Sequence, residues 1–388
     1  MKRKRLLLIP AALLLLLFLV YLCLPFYMRQ ALIHWYPDIS DTHLFPFETV
    51  AKSDTCWDFP ASSRCNGYRL TPEENAFMEE YGTVSFLVIR NDSVLYEEYR
   101  DGWTPATLSN IFSATKSIVG LLVGIALDEG HIASLDDPVG KYLPEFSEGD
   151  KAPITVRHLL TMSSGLDWDE AYTALVSKTT EAYYGNDIRR LVTDIAPVEA
   201  PGRRYAYKSG DTQLLSFVLE AAIRQHTGDS VTISRYAEEK LWRPIQACND
   251  ALWNLDRPGG DEKTYCCFNT TARDLAHIAR LILRKGDWNG TRVISETYLR
   301  EATTPASRLE NEFGDGALDY YGFQTWIVHY RGLSFPAFRG LGGQYLFAIP
   351  QRDAIVVRLG HKRSDTYLRE NTVDLPRYLD IAFRILDE

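Results

Sequence analysis

Several signatures are missing from this 388-residue chain, and each absence removes a class of function. There is no G-x-S-x-G elbow, which removes the α/β-hydrolase plan. There is no Walker A loop and no dinucleotide fingerprint, which removes the common nucleotide-binding plans. C-x-x-C and H-E-x-x-H are also absent, so a zinc centre has little to stand on. Basic residues form no stripe beyond the extreme N-terminus, and the formal net charge is −9. Nucleic acid is therefore excluded as a partner, because its binding needs clustered Lys and Arg. No repeat of 20 to 50 residues and no low-complexity tract occurs.

What remains is globular in composition, 46% apolar and 24% charged, with enough length for one large domain or two smaller ones. The N-terminus stands apart. Lys2 to Arg5 precede an uncharged run from Leu6 to Met28, long enough for the roughly 20 apolar residues that cross a bilayer. No small-residue cleavage site follows, so the pattern predicts a signal anchor rather than a cleaved signal peptide. The positive-inside rule then predicts a single-pass protein of the cell (inner) membrane with its bulk extracytoplasmic or periplasmic.

Beyond Cys23 there are Cys56, Cys65, Cys248, Cys266 and Cys267. Disulfides are permitted outside the cytosol. Cys56 and Cys65 flank a short loop, and Cys248 has Cys266 or Cys267 as a possible partner. The odd count leaves one thiol over, and the connectivity stays open.

Strand patterns cluster near both ends of the remaining chain. "VSFLVIRNDSVLYEEY" (84–99) reads as two strands joined by a polar turn, and "YGFQTWIV", "QYLFAIP" and "AIVVRLG" as three more. Helical spacing dominates from about 130 to 300 and returns in the final "LPRYLDIAFRILDE". The organisation expected is an anchor over 1–28, an irregular extension over 29–75 and a catalytic domain over 76–388. The fold expected is α+β: an antiparallel sheet joining N- and C-terminal strands, flanked by helices, with an inserted helical lobe. A cleft between sheet and lobe would hold the site.

Chemistry enters at "NIFSATKSIVGLLVG". Ser113 and Lys116 sit three residues apart at the head of an apolar helix, where a core gains nothing from a lysine. Residues i and i+3 share a helix face. A desolvated lysine has a lowered pKa and can accept the proton of a serine hydroxyl, which is otherwise a poor nucleophile.

The stretches "SATKSIVGLLVGIALDEGHIASLDDPVGKYLPE" and "ITVRHLLTMSSGLDWDEAY" resemble the serine hydrolases related to class C β-lactamases. The 6-aminohexanoate-dimer hydrolase-like esterases and amidases are the most similar group. "PGRRYAYKSGDTQLLSFVLE", "TTARDLAHIARLILRKG" and "GLGGQYLFAIP" extend the resemblance over nearly all of the chain from residue 80. It implies the β-lactamase and penicillin-binding-protein fold, with no metal or organic cofactor. By resemblance Ser113 is the nucleophile, Lys116 its activator, and Tyr207 (in Y-x-S) the proton shuttle to the leaving group, as phenolate or through Lys116. The backbone N–H groups of Ser113 and Leu341 would form the oxyanion hole, and Tyr172 would bind the substrate amide. One departure stands out. Where β-lactamases carry Lys-Thr-Gly, this chain has Phe338, Arg339 and Gly340, and strand alternation argues against Arg339 replacing the lysine. The expected function is a membrane-anchored hydrolase of a small ester or amide. The alternatives are a D-amino-acid peptidase of the cell wall and a non-catalytic binding protein on the same fold.

Overall fold

A computed structural model describes residues 2–388, with side chains of the first helix described at Pro10 and from Ala12 onward. Its frame is a six-stranded antiparallel sheet. In chain order the strands are β1 (Thr83–Arg90), β2 (Ser93–Tyr99), β3 (Trp326–Tyr330), β4 (Leu333–Gly340), β5 (Gln344–Ile349) and β6 (Ala354–Gly360). Their spatial order is β2-β1-β6-β5-β4-β3. The first and last parts of the domain thus meet at the β1–β6 seam, with Leu87 opposite Val357.

Both faces of this sheet are covered, as its strand sequences require. Leu87, Ile89, Ile355 and Val357 point into one core with Ile118 and Leu122 of the helix Thr115–Asp128. Their strand neighbours Phe86, Val88 and Val356 point the other way, against Tyr378, Leu379 and Phe383 of the C-terminal helix Leu375–Asp387. Side chains alternate along a strand, so a continuous apolar run can only be satisfied by packing on both sides. The helix Ala272–Leu283 packs on the same sheet face as Thr115–Asp128, and the helical segments from about 130 to 250 form the lobe beside this sandwich, so the expected sheet, flanking helices and inserted lobe are all present.

Two expectations need correction. The first concerns the N-terminal transmembrane helix. A helix runs over Lys2–Cys23 with Pro10 inside it, but among the described residues no helix is long and apolar enough to cross a membrane. A span requires roughly 20 apolar residues in one helix. Met1 and the side chains of Lys2 to Arg5 lie outside the described residues. Second, residues 29–75 are not merely irregular. Phe47–Val50 is a strand paired with Ala251–Asn254, at the edge of a second, four-stranded sheet. Pro72–Glu80 is a helix opened by a capping box at Thr71 and Glu74. β4, expected as the strand that carries Arg339, forms between two neighbours although it contains Pro336. Proline disfavours an inner strand, but tertiary pairing on both sides prevails here.

The cysteine pairing also differs from the loop-flanking arrangement. Cys56 is bonded to Cys248, and Cys266 to its neighbour Cys267. Cys65 is a free thiol. The Cys56–Cys248 bond closes a separation of 192 residues and ties the extension to the lobe. A long closed loop restricts the unfolded chain strongly. Replacing Cys56 by Ser is therefore expected to lower stability by about 2–4 kcal/mol, read as a lower urea midpoint; an unchanged midpoint would show that this bond does not constrain the unfolded chain.

Candidate active site

Ser113 lies on a short 3-10 turn, Phe112–Ala114, that runs into the helix Thr115–Asp128. It sits just before the α-helix rather than in its first turn. The turn is held from the second sheet: Ile111 N–H donates to the Phe268 carbonyl at 3.0 Å, and Phe112 N–H to Asn110 Oδ1 at 2.9 Å. Phe112 has φ of 45°, a left-handed conformation that a bulky residue adopts only when its surroundings enforce it. The helix behind it is buried along almost its whole length. Gly124 permits this, since a Cβ there would meet the Tyr298 ring at 2.3 Å.

Lys116 is 1% exposed. Its Nζ donates to Ser113 Oγ at 3.0 Å and to the Tyr265 carbonyl at 2.7 Å. It also lies 5.0 Å from the centre of the Tyr207 ring. Among the described residues no carboxylate forms an ion pair with it. Burial lowers its pKa to about 8, against an opposing pull from the Glu170 charge. A fraction of Lys116 is therefore neutral amine near neutral pH, already hydrogen-bonded to the serine whose proton it could take.

Tyr207 precedes the helix Ser209–Thr227 and packs its ring 5.4 Å from Trp326 and 6.2 Å from Tyr321. Burial, reinforced by Glu170, pushes its pKa well above the ordinary tyrosine value, with the Ser113 hydroxyl working the other way. At neutral pH this favours the phenol, a proton donor, and not the phenolate. Glu170 is the group around which this side of the cleft is organised. Its carboxylate accepts hydrogen bonds from the Ser209 N–H, from Ser209 Oγ at 3.2 Å, and from the Tyr172 hydroxyl. A negative charge at that helix start is electrostatically favourable. Tyr172, expected to contact substrate, is thereby tied to Glu170 at the cleft.

Leu341 follows β4 directly, and Gly340 explains how it reaches Ser113. A Cβ at Gly340 would stand 2.2 Å from the Ile111 carbonyl, so the strand end and the segment before the serine touch backbone to backbone. Two cavities meet here, and Ser113, Tyr172 and Leu341 line both. One, of about 430 Å³, is lined mostly by apolar side chains. The other, of about 620 Å³, holds Tyr207, Glu170, Arg339 and Arg363. Arg339 does line this cavity, contrary to the expectation from strand alternation. Its guanidinium donates to Asn371 Oδ1 at 3.1 Å and the Glu370 carbonyl at 2.8 Å, 4.2 Å from the Trp326 ring centre.

Comparison with known proteins identifies the family. The sequence profile named Beta-lactamase matches residues 73–375. The chain belongs to the beta-lactamase family. It is 28% identical over 312 residues to the 6-aminohexanoate-dimer hydrolase of Paenarthrobacter ureafaciens, covering 74% of this chain and 75% of that protein. A solved Bacillus anthracis structure, described as a candidate 6-aminohexanoate-dimer hydrolase, superposes with a TM-score of 0.74. It covers 89% of this chain and 91% of that one at 19% identity. A family VIII carboxylesterase gives 0.61, covering 82% and 99% at 18% identity. At such identities the structural likenesses speak for the fold.

The beta-lactamase family resemblance thus brought Ser113, Lys116, Tyr207, Leu341 and Tyr172 to one cleft. Sequence reasoning missed three contributors. Glu170 lay inside a quoted segment, "DWDEAY", but nothing local marks which of its acids faces the site. The Tyr265 carbonyl has no sequence signal at all, since any residue supplies one. Arg363 follows β6 and reaches the cleft only through the turn of the chain. Glu170→Gln removes the charge that holds the Lys116 pKa up. Its labelling by a fluorophosphonate at Ser113 is expected to show a pH midpoint displaced to lower pH; an unmoved midpoint would remove Glu170 from the electrostatics of the lysine.

Proposed function

We propose that this protein is a serine hydrolase that cleaves a small ester or amide through an acyl-Ser113 intermediate. The observation that carries the reading is the buried Lys116 amine, hydrogen-bonded to Ser113 Oγ and lacking an ion-pair partner among the described residues. The 6-aminohexanoate-dimer hydrolase named above, 28% identical over 312 residues, supports the same reaction class.

The steps balance with these groups alone. Ser113 Oγ attacks the carbonyl carbon while its proton passes to neutral Lys116. The negative charge on the carbonyl oxygen would be met by the N–H groups of Ser113 and Leu341. The bond to the leaving oxygen or nitrogen then breaks, and Tyr207, which burial keeps protonated, supplies the proton to it. Lys116 returns its proton to the Tyr207 oxygen. Water next attacks the acyl carbon, giving a carboxylic acid and free Ser113. Tyr207 as acid and Lys116 as base fit their opposed environments better than a resting phenolate would.

The protonation states give the pH dependence its sign. The reactive form needs Lys116 neutral and Tyr207 neutral. The value of kcat/KM for a p-nitrophenyl ester is therefore expected to rise about tenfold per pH unit at low pH and level off above the Lys116 pKa of about 8. A profile already flat from pH 6 upward would exclude Lys116 as the base. Ser113→Ala should abolish both turnover and fluorophosphonate labelling. Lys116→Arg and Tyr207→Phe should each lower kcat/KM by about 10² to 10⁴, and the Lys116→Arg variant should lose the rise near pH 8.

A further inference from the structure

The apolar cavity beside Ser113 is built in part by residues outside the family's match at 73–375. Ala31, Leu32, Trp35 and Tyr36 of the N-terminal extension form one wall, and Leu175, Tyr183 and Tyr184 of the lobe form the facing one. The extension is fastened on both sides of the cleft. On the lobe side the Tyr184 hydroxyl donates to the Trp35 carbonyl at 3.3 Å, and the Tyr183 hydroxyl to Asp41 Oδ2 at 3.0 Å. The Phe45 ring stands edge-on to Tyr183 at 5.1 Å. On the sheet side His361, just after β6, bonds Asp38 Oδ2 at 2.8 Å. This wall is thus a fixed part of the structure.

The two cavities also differ in which reaction partner they can serve. Tyr207, the proton donor to the leaving group, lines only the polar cavity. The leaving group must therefore depart on that side, and the acyl group must lie on the other. Resting on the hydrolase reading above, we infer that the substrate joins an apolar acyl group, of roughly eight to twelve carbons, to a polar alcohol or amine. The size is set below the ceiling of about fourteen heavy atoms that a cavity of about 430 Å³ holds at about 30 Å³ each, because the acyl group must share that space with the carbonyl and leave the walls unstrained. The extension, through Ala31 and Trp35, determines the acyl length accepted.

The test uses the full chain and two substrate sets. Across p-nitrophenyl acetate, butyrate and octanoate, kcat/KM is expected to rise on the order of 1000-fold, because each buried methylene favours the bound transition state. Octanoyl glycerol should be cleaved at least about tenfold faster than octyl acetate, which carries its apolar part on the leaving side. Ala31→Trp should move the optimum toward shorter chains, and Ala174→Trp, on the facing wall, should do the same if the first variant folds poorly. A flat or falling series, or a preference for octyl acetate, with acetate still turned over, would overturn the inference and leave the hydrolase standing. No turnover of any ester and no label on Ser113 would overturn the hydrolase reading, and this inference with it.

Discussion

The burial of one amine is the constraint on which the site depends. Removing the Lys116 ammonium from water without a carboxylate beside it disfavours its charged form by about 3 kcal/mol, taking the drop from 10.5 to about 8. What compensates is a pair of fixed oxygens, Ser113 Oγ and the Tyr265 carbonyl, with two aromatic rings on its flanks. Each comes from a different part of the chain. The helix positions the amine, the 3-10 turn the hydroxyl, and the segment between the second sheet's two inner strands the carbonyl. An ion pair in place of these oxygens would hold the lysine charged and leave it useless as a base. Glu170 stays tied to Ser209 and Tyr172 and does not bond the lysine. It moderates the amine by its field alone.

The cleft divides by the chemistry of its walls because two kinds of element meet at Ser113. On one side lie the end of β4 and the loops after β6, bringing Arg339 and Arg363; on the other lie the lobe helix Lys178–Tyr184 and the extension, bringing tyrosines and small apolar residues. The vicinal Cys266–Cys267 bond follows directly on Tyr265, and Cys266 lines the apolar side. The peptide whose carbonyl holds the lysine is thus flanked by a short covalent ring on one side and the lobe core on the other. A rigid carbonyl at that place fixes the lysine, and the lysine in turn fixes the serine rotamer.

Much of the fold was legible because its physical cause is local. β1, β2, β5 and β6 announce themselves by branched and aromatic runs around polar turns, and the long helices by apolar spacing. β4 has no strand run of its own and entered only through the resemblance, as the strand that carries Arg339; pairing on both sides makes it a strand despite Pro336. The extension was read as irregular because Phe47–Val50 is too short to show a period, and its pairing partner lies some 200 residues away. Disulfide partners were open for the same reason: spacing along the chain says nothing about which sulfurs meet in space.

By itself, then, the sequence determined the α+β plan, the helix that carries Lys116 three residues after Ser113, and the ordered segments that place the chain among beta-lactamase relatives. These rest on periodicity and on i, i+3 geometry, which act between near neighbours. Tertiary structure alone decided the contact of Gly340 with Ile111, the carbonyl that receives Lys116, the carboxylate of Glu170 at the helix start, and the wall that the extension adds to the cleft. Each of these joins groups from separate segments. The energy that selects them comes from burial and hydrogen bonding across the folded core, and no local pattern of residues encodes it.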